Sequence, residues 1–281
     1  MSADGPAVRY EPAAGVATLT MAQVETRNAL TPELMAGIVG GLDRARADPS
    51  VRVVVLTHDG PVFCAGADLR HGRAPAGAPG AGGSADRGSG AGGPGAGGVA
   101  DLPAVLAAIQ DSPLPVVARI AGPCLGGGLG LAAACDLSIA GEDVRLGFTE
   151  VRLGVAPAII SVVCLPKLRR GDALHLMLTG ERVPAGRAAE LGLITRAVPP
   201  DELDAAVTGV VAQLQAGGPR ALAATKALVL GRLPAARDAA FVEMAELSAA
   251  LFAGEEAAEG RAAFREKRPP SWAGPPANAG S

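Results

Sequence analysis

Twice along this chain a predominantly apolar run leads into a turn of small residues and then into a helical pattern. The first run is the Val-rich stretch 51–57, closed by His58-Asp59-Gly60-Pro61 and followed by Phe63-Cys64-Ala65-Gly66-Ala67-Asp68-Leu69. The second is 114–120, followed by a glycine-rich turn over 122–130 and an apolar helix over 129–135. Near-continuous apolar runs of this length read as strands covered on both faces, as parallel sheets packed under helices require. The chain is therefore expected to be α/β, built on a repeated structural unit whose two copies differ too much to count as a sequence repeat.

The flanking sequence fits that plan. Residues 8–21 alternate loosely around Gly15 and predict a hairpin. Thr31-Pro32-Glu33 is a helix start, with Leu34, Ile38 and Leu42 on one face and a stop before Pro49. Leu102, Val105, Leu106 and Ile109 mark a short helix, and 137–140 a short strand. After Pro199-Pro200 four helices are expected, over 201–214, 219–230, 237–252 and 255–264. The organisation read from this is a core over 1–200, a helical region over 201–268 and a frayed tail over 269–281. Between 72 and 98 only Gly, Ala, Pro, Ser, Arg and Asp occur, which predicts a flexible surface insertion within the core.

Composition removes several functions. With 49% apolar and 19% charged residues among 281, the chain can bury a core, and global disorder is excluded. A net charge of -3 gives no basic excess, and 2% aromatic residues supply few stacking platforms, so nucleic acid is not an expected partner. No stretch reads as a membrane span, and Met1 to Tyr10 lacks the pattern of a signal peptide, so a cytoplasmic location is expected. Cys64, Cys124, Cys135 and Cys164 lack CxxC spacing and are joined by only three histidines, so neither a metal site nor a disulfide is expected. The cysteines sit among small residues and read as packing rather than as nucleophiles.

The small-residue turns are the chemical candidates. A turn that opens a helix leaves backbone N–H groups without partners, and glycine lets another molecule approach them. Ala65-Gly66-Ala67 and Gly126-Gly127-Gly128 could together aim two N–H groups at one oxygen, an oxyanion hole suited to an enolate or a tetrahedral intermediate. The competing reading of each turn alone is tight strand–helix packing. Residues 128–133 also fit the G-x-G-x-x-A pattern of dinucleotide sites, with Glu150 about twenty residues on. That is a weak match, because the glycines begin upstream at Gly126 and Glu150 is not plainly at a strand end.

In combination these residues resemble the crotonase, or enoyl-CoA hydratase/isomerase, superfamily. Arg27-Asn28-Ala29-Leu30-Thr31 is similar to its N-terminal signature, and residues 63–69 to its first oxyanion segment. Residues 120–128 resemble the second, with Ala134-Cys135-Asp136 behind it. Phe148-Thr149-Glu150-Val151-Arg152-Leu153-Gly154 resembles the segment with a catalytic acid, and 188–194 and 264–268 resemble late motifs. The resemblance implies a ββα spiral core with a helical C-terminal region that assembles a homotrimer or a dimer of trimers. It implies an acyl-CoA thioester substrate, no cofactor besides that CoA and no metal. It implies an oxyanion hole made by the amides of Ala67 and Gly127, with Glu150 as the acid. CoA would lie near Arg27, Ala65, Asp68 and Gly126, with Phe264 and Lys267 approaching from the C-terminal region.

One position departs from the pattern. Typical hydratases of the family carry a second glutamate where this chain has Gly130. The sequence there and over 149–161 resembles bacterial hydratases of branched, carboxylated enoyl-CoAs of the methylglutaconyl-CoA type, with Arg152 as a candidate for a substrate carboxylate. Hydration of an enoyl-CoA is the expected reaction. Double-bond isomerisation by one glutamate and acyl-CoA binding with weak catalysis are the alternatives, and a nucleotide-binding oxidoreductase is a remote one. Asp136 reads as structural.

Overall fold

The computed structural model describes residues 5–68, 101–231, 241–242, 245–246, 248–250 and 252–268. The 72–98 insertion, the 269–281 tail and much of the helix expected over 237–252 lie outside the described residues.

β1 (Val8–Ala13) and β2 (Val16–Met21) form the expected hairpin. Ala14 and Gly15 both have positive φ (49° and 79°), the pair of left-handed residues that matches the twist of two-residue hairpins. Thr31 caps α1 (Pro32–Ala47) by accepting the Leu34 N–H at 3.1 Å, and Leu34, Ile38 and Leu42 are buried. β3 (Val53–His58), β4 (Val116–Ile120), β6 (Leu137–Gly141) and β9 (Arg196–Val198) complete a six-stranded sheet in the order β1-β2-β3-β4-β6-β9, parallel except at β1–β2. β3 begins two residues later than expected, because the Val51 N–H is held by Asp48 in a turn.

Both faces of this sheet are covered. Val54 and Leu56 of β3, with Val116, Ala118 and Ile120 of β4, enter the main core under α1, α2 (Leu102–Asp111) and α3 (Gly127–Ala134). The alternate residues Val53, Val55 and Val117 pack with Leu203, Val207 and Val211 of α7 (Leu203–Ala216). This is why the strands read as continuous apolar runs.

A smaller sheet holds β5 (Cys124–Leu125), β7 (Arg145–Gly147) and β8 (Arg182–Pro184), and Cys64 bridges onto Cys124 beside it. Successive turns of chain therefore repeat one path. A strand enters the large sheet, a short extended piece joins the small one, and a helix follows: β3, Cys64, α2, then β4, β5, α3. α3 begins at Gly127 rather than at 129. The N–H groups of Leu129 and Gly130 both bond the Gly126 carbonyl (2.9 and 3.3 Å), so the glycines expected in the turn build the first helical turn.

The sequence reading was silent on α4 (Ala158–Cys164), α5 (Arg170–Thr179) and α6 (Ala185–Glu190). α8 (Pro219–Val229) is fixed to the core by Lys226, whose Nζ lies 2.8 Å from Asp136 Oδ2 and 2.9 Å from the Ile109 carbonyl. Asp136 Oδ2 also accepts the Val116 N–H at 2.7 Å, so this aspartate ties α8 to the start of β4. Burial pushes the Asp136 carboxyl up, and Lys226 pulls it back in part. Lys226→Met leaves that carboxylate enclosed without its cation and is expected to cost about 3–5 kcal/mol in urea unfolding near neutral pH. A loss below about 1 kcal/mol would mean that the pair behaves as a surface contact.

Candidate active site

Three parallel segments end side by side in the small sheet. Cys64 pairs with Cys124, and β5 pairs with β7 in the register Cys124↔Leu146 and Leu125↔Gly147. The residues that follow are carried to one edge: Ala65-Gly66-Ala67, then Gly126-Gly127, and Glu150 shortly after β7. Carboxyl ends of parallel strands are where open α/β sheets hold ligands, because the chain diverges there.

Backbone approaches backbone closely at this edge. Gly66 has φ 90°, and a methyl group there would lie 3.3 Å from Gly127 N and 3.1 Å from the Leu125 carbonyl oxygen. Gly126 combines φ 52° with ψ -125°, a conformation that side chains oppose. A methyl group on it would lie 3.3 Å from Glu150 Oε1. The two turns and the carboxyl group therefore meet through glycine α-carbons. Gly127 opens α3, so its N–H has no partner within the helix. Among the described residues neither it nor the Ala67 N–H donates to a backbone carbonyl.

The Arg27–Thr31 motif sets the first turn in place. Asn28 is fully buried with φ 50°, and its Nδ2 donates to the carbonyls of Asp59 (3.1 Å) and Val62 (2.9 Å). Asparagine tolerates this left-handed backbone better than most residues. The Ala65 N–H then donates to the Arg27 carbonyl at 3.1 Å, and the Leu30 N–H to the Gly66 carbonyl at 2.8 Å. Asn28 is a positioning residue to which the sequence reading gave no role. Its signal in the sequence is its place inside the Arg27–Thr31 motif.

Glu150 opens a 3-10 turn (Glu150–Leu153) that Gly154 ends with φ 72°. Phe148, fully buried, anchors the chain just before it. The residue keeps partial exposure, but Oε2 is enclosed and has no hydrogen-bond partner among the described residues. Burial pushes the carboxyl up from 4.5 to about 7, a backbone hydrogen bond opposing it. A carboxyl that is half-ionised near neutral pH beside a strained turn is the usual mark of an acid–base group.

The environment of Glu150 is otherwise apolar or inert. All four cysteines are free and buried, and burial raises each thiol above its ordinary range. They are packing residues, not nucleophiles. At Gly130, an added Cβ would lie 2.3 Å from Ile160 Cγ2. Ile160 of α4 therefore fills the space a side chain at 130 would need. The sequence reading missed it, since nothing in the spacing of residues 130 and 160 announces the contact. Arg152 lies against Gly180 at the end of α5, 3.4 Å from the Thr179 carbonyl, where a helix terminus favours a cation.

The remaining expected residues surround this edge less closely. Ala65 opens the first turn and Asp68 follows it, and the Arg27 side chain is exposed beside it. Phe264 (55% exposed) and Lys267 (exposed, φ 53°) stand at the end of the C-terminal helix (Glu255–Glu266). That helix packs on the Glu150–Leu153 turn of the same chain.

The sequence pattern of the Enoyl-CoA hydratase/isomerase family matches residues 11–82 and 96–275. An enoyl-CoA hydratase from Mycobacterium avium is 40% identical with a TM-score of 0.80, over 97% of this chain and 100% of that one. An enoyl-CoA isomerase/hydratase of Mycosarcoma maydis is 31% identical over 271 residues, 92% of this chain and 93% of that protein. The (E)-benzylidenesuccinyl-CoA hydratase of Thauera aromatica is 31% identical over 263 residues, 92% of this chain and 96% of that protein. Fold and relatives together define an α/β enzyme of the crotonase superfamily. The chain belongs to the enoyl-CoA hydratase/isomerase family.

Proposed function

We propose that this enzyme hydrates an enoyl-CoA thioester with Glu150 as its one acid–base group. The observation that carries the reading is the enclosed Glu150 carboxyl, raised to about 7, set against Gly126 where the two small-residue turns meet. The thioester oxygen sits on the N–H groups of Ala67 and Gly127. Ionised Glu150 takes a proton from water as the oxygen of that water bonds to the β-carbon. The electron pair of the double bond moves through the α-carbon to the thioester oxygen, where the two donors stabilise the enolate. Glu150 then returns its proton to the α-carbon, and one water has been added. A carboxyl near 7 can both accept and return a proton at neutral pH.

CoA in this reading lies along Arg27, Ala65, Asp68 and Gly126, with Phe264 and Lys267 closing on it from the C-terminal helix. An acyl group with its own carboxylate fits the kinship with the Thauera aromatica hydratase, whose named substrate carries a succinyl group. Arg152 is engaged by α5 and is a weak candidate for that carboxylate. Assembly is proposed as a homotrimer or dimer of trimers through the helical region, where Val229 and Val242 supply exposed apolar surface. The proposed compartment is the cytoplasm. Among the described residues no helix is long and apolar enough to cross a membrane.

A second reading rests on Ile160. With Gly130 covered, Glu150 is the one carboxyl shown against the Gly126 turn among the described residues, which is enough to move a proton between the α- and γ-carbons of a β,γ-enoyl-CoA. Mass spectrometry, with chromatography to resolve double-bond isomers of equal mass, separates the readings on crotonyl-CoA, methylglutaconyl-CoA and a straight-chain β,γ-enoyl-CoA. Gain of one water on an α,β-enoyl-CoA is the expected result. Migration of the double bond at constant mass establishes the isomerase. No conversion of any thioester, with CoA still bound, overturns both and leaves a binding protein.

A further inference from the structure

The C-terminal helix meets the acid-bearing turn at one point where two backbones touch. An added Cβ at Gly260 would lie 2.2 Å from the Leu153 carbonyl oxygen, 2.4 Å from its carbon and 2.6 Å from its Cα. No side chain fits there without moving one of the two segments. Ala257 and Ala263 are fully or nearly fully buried on the neighbouring turns of the helix, so its small-residue face is the packed one. Leu153 closes the same 3-10 turn that Glu150 opens, and the Val155 N–H bonds back to the Glu150 carbonyl at 3.2 Å. On its other side the turn is held by Arg152 against Gly180.

From this contact we infer that Gly260 is a positioning residue for catalysis: through its backbone contact with Leu153, the C-terminal helix braces the turn that aims Glu150. The inference rests on the reading of Glu150 as the acid–base group. The brace acts within one chain, so the helix that ends in Phe264 and Lys267 also fixes the acid. Burial raises the Glu150 carboxyl and a backbone hydrogen bond opposes it. Cys164 is the thiol that feels its charge, and Arg152 of the same turn is directed to α5.

Gly260→Ala tests this with a sign that propensity alone cannot give. Alanine in a helix interior is ordinarily more stable than glycine, so without the contact the variant is neutral or improved. With the contact, kcat on crotonyl-CoA falls roughly 10- to 100-fold while KM changes less than about 3-fold. The acidic pH limb of kcat/KM, which reports the free enzyme, also moves from about 7 toward 4.5, as the displaced carboxyl regains water. A folded Gly260→Ala enzyme with the parent's kcat and pH limb overturns the inference. If Gly260→Ala does not fold, Ala258→Gly decides by hydrogen exchange, since it loosens the helix without adding an atom. The brace predicts that amides of 150–155 and 255–266 speed up together, and protection retained at 150–155 overturns it. Glu150→Gln at parental turnover would instead sink the Glu150 reading, so the two failures are distinguishable.

Discussion

Glu150→Gln is expected to fold, to bind CoA as the parent does and to lose about 1,000-fold in kcat, within the usual range for a positioned acid–base group. Oxyanion donors remain, so the thioester is still held, but nothing takes and returns the proton. The same substitution has a stability signature. In the folded enzyme the Glu150 carboxyl lies at about 7, and its ordinary value is 4.5. Between those values the native state binds a proton that the unfolded chain has released. The parent therefore loses stability as pH rises from 4.5 to about 7, and the loss is constant above that range. Glutamine has no charge to enclose. The stability difference between Glu150→Gln and the parent should grow in favour of the variant across this window, by roughly 3 kcal/mol. Urea unfolding at a series of pH values measures it, and a difference that is flat with pH would place the carboxyl in water.

Gly130→Glu is the substitution that would copy the two-acid pattern of typical hydratases, and it is expected to fail. Its Cβ would be 2.3 Å from Ile160 Cγ2, and Ile160 is 2% exposed. Overpacking of this kind costs about 1–3 kcal/mol, and an enclosed, unpaired carboxyl adds several more. The expected result is insoluble protein, or a soluble one destabilised by more than about 3 kcal/mol, without a gain in hydration rate. Gly130→Ala separates the steric part. Helix propensity alone favours it by up to about 1 kcal/mol, so any loss measures the collision with Ile160. A soluble Gly130→Glu enzyme that hydrates faster than the parent would show that the wall at 160 yields.

The sequence carried the strands and the two turns because each is local. An apolar run covered on both faces, a Thr-Pro-Glu helix start and a glycine triplet each declare themselves within a few residues. Ordered motifs carried the family and singled out Glu150 as the candidate acid. What escaped the sequence depends on contacts between distant segments. The bridge between Cys64 and Cys124 aligns the three chain ends of the site, and both are buried residues without any pairing signal. β7, β8 and β9 span only three residues each, too short for a period to show. Gly130 was visible as a departure, but its partner Ile160 was not. Gly260 stood in a helical stretch where a glycine reads only as a weak point, and its use lies in the approach to Leu153.

The claim that one carboxyl carries the proton is tested most directly in heavy water. Parent enzyme and Glu150→Gln are each given crotonyl-CoA, and mass spectrometry follows carbon-bound deuterium in the acyl product. The parent should fix one deuterium at the α-carbon for each water added, and Glu150→Gln should fix it about 1,000-fold more slowly. Incorporation by Glu150→Gln at the parent's rate would contradict the mechanism and assign the proton to another group.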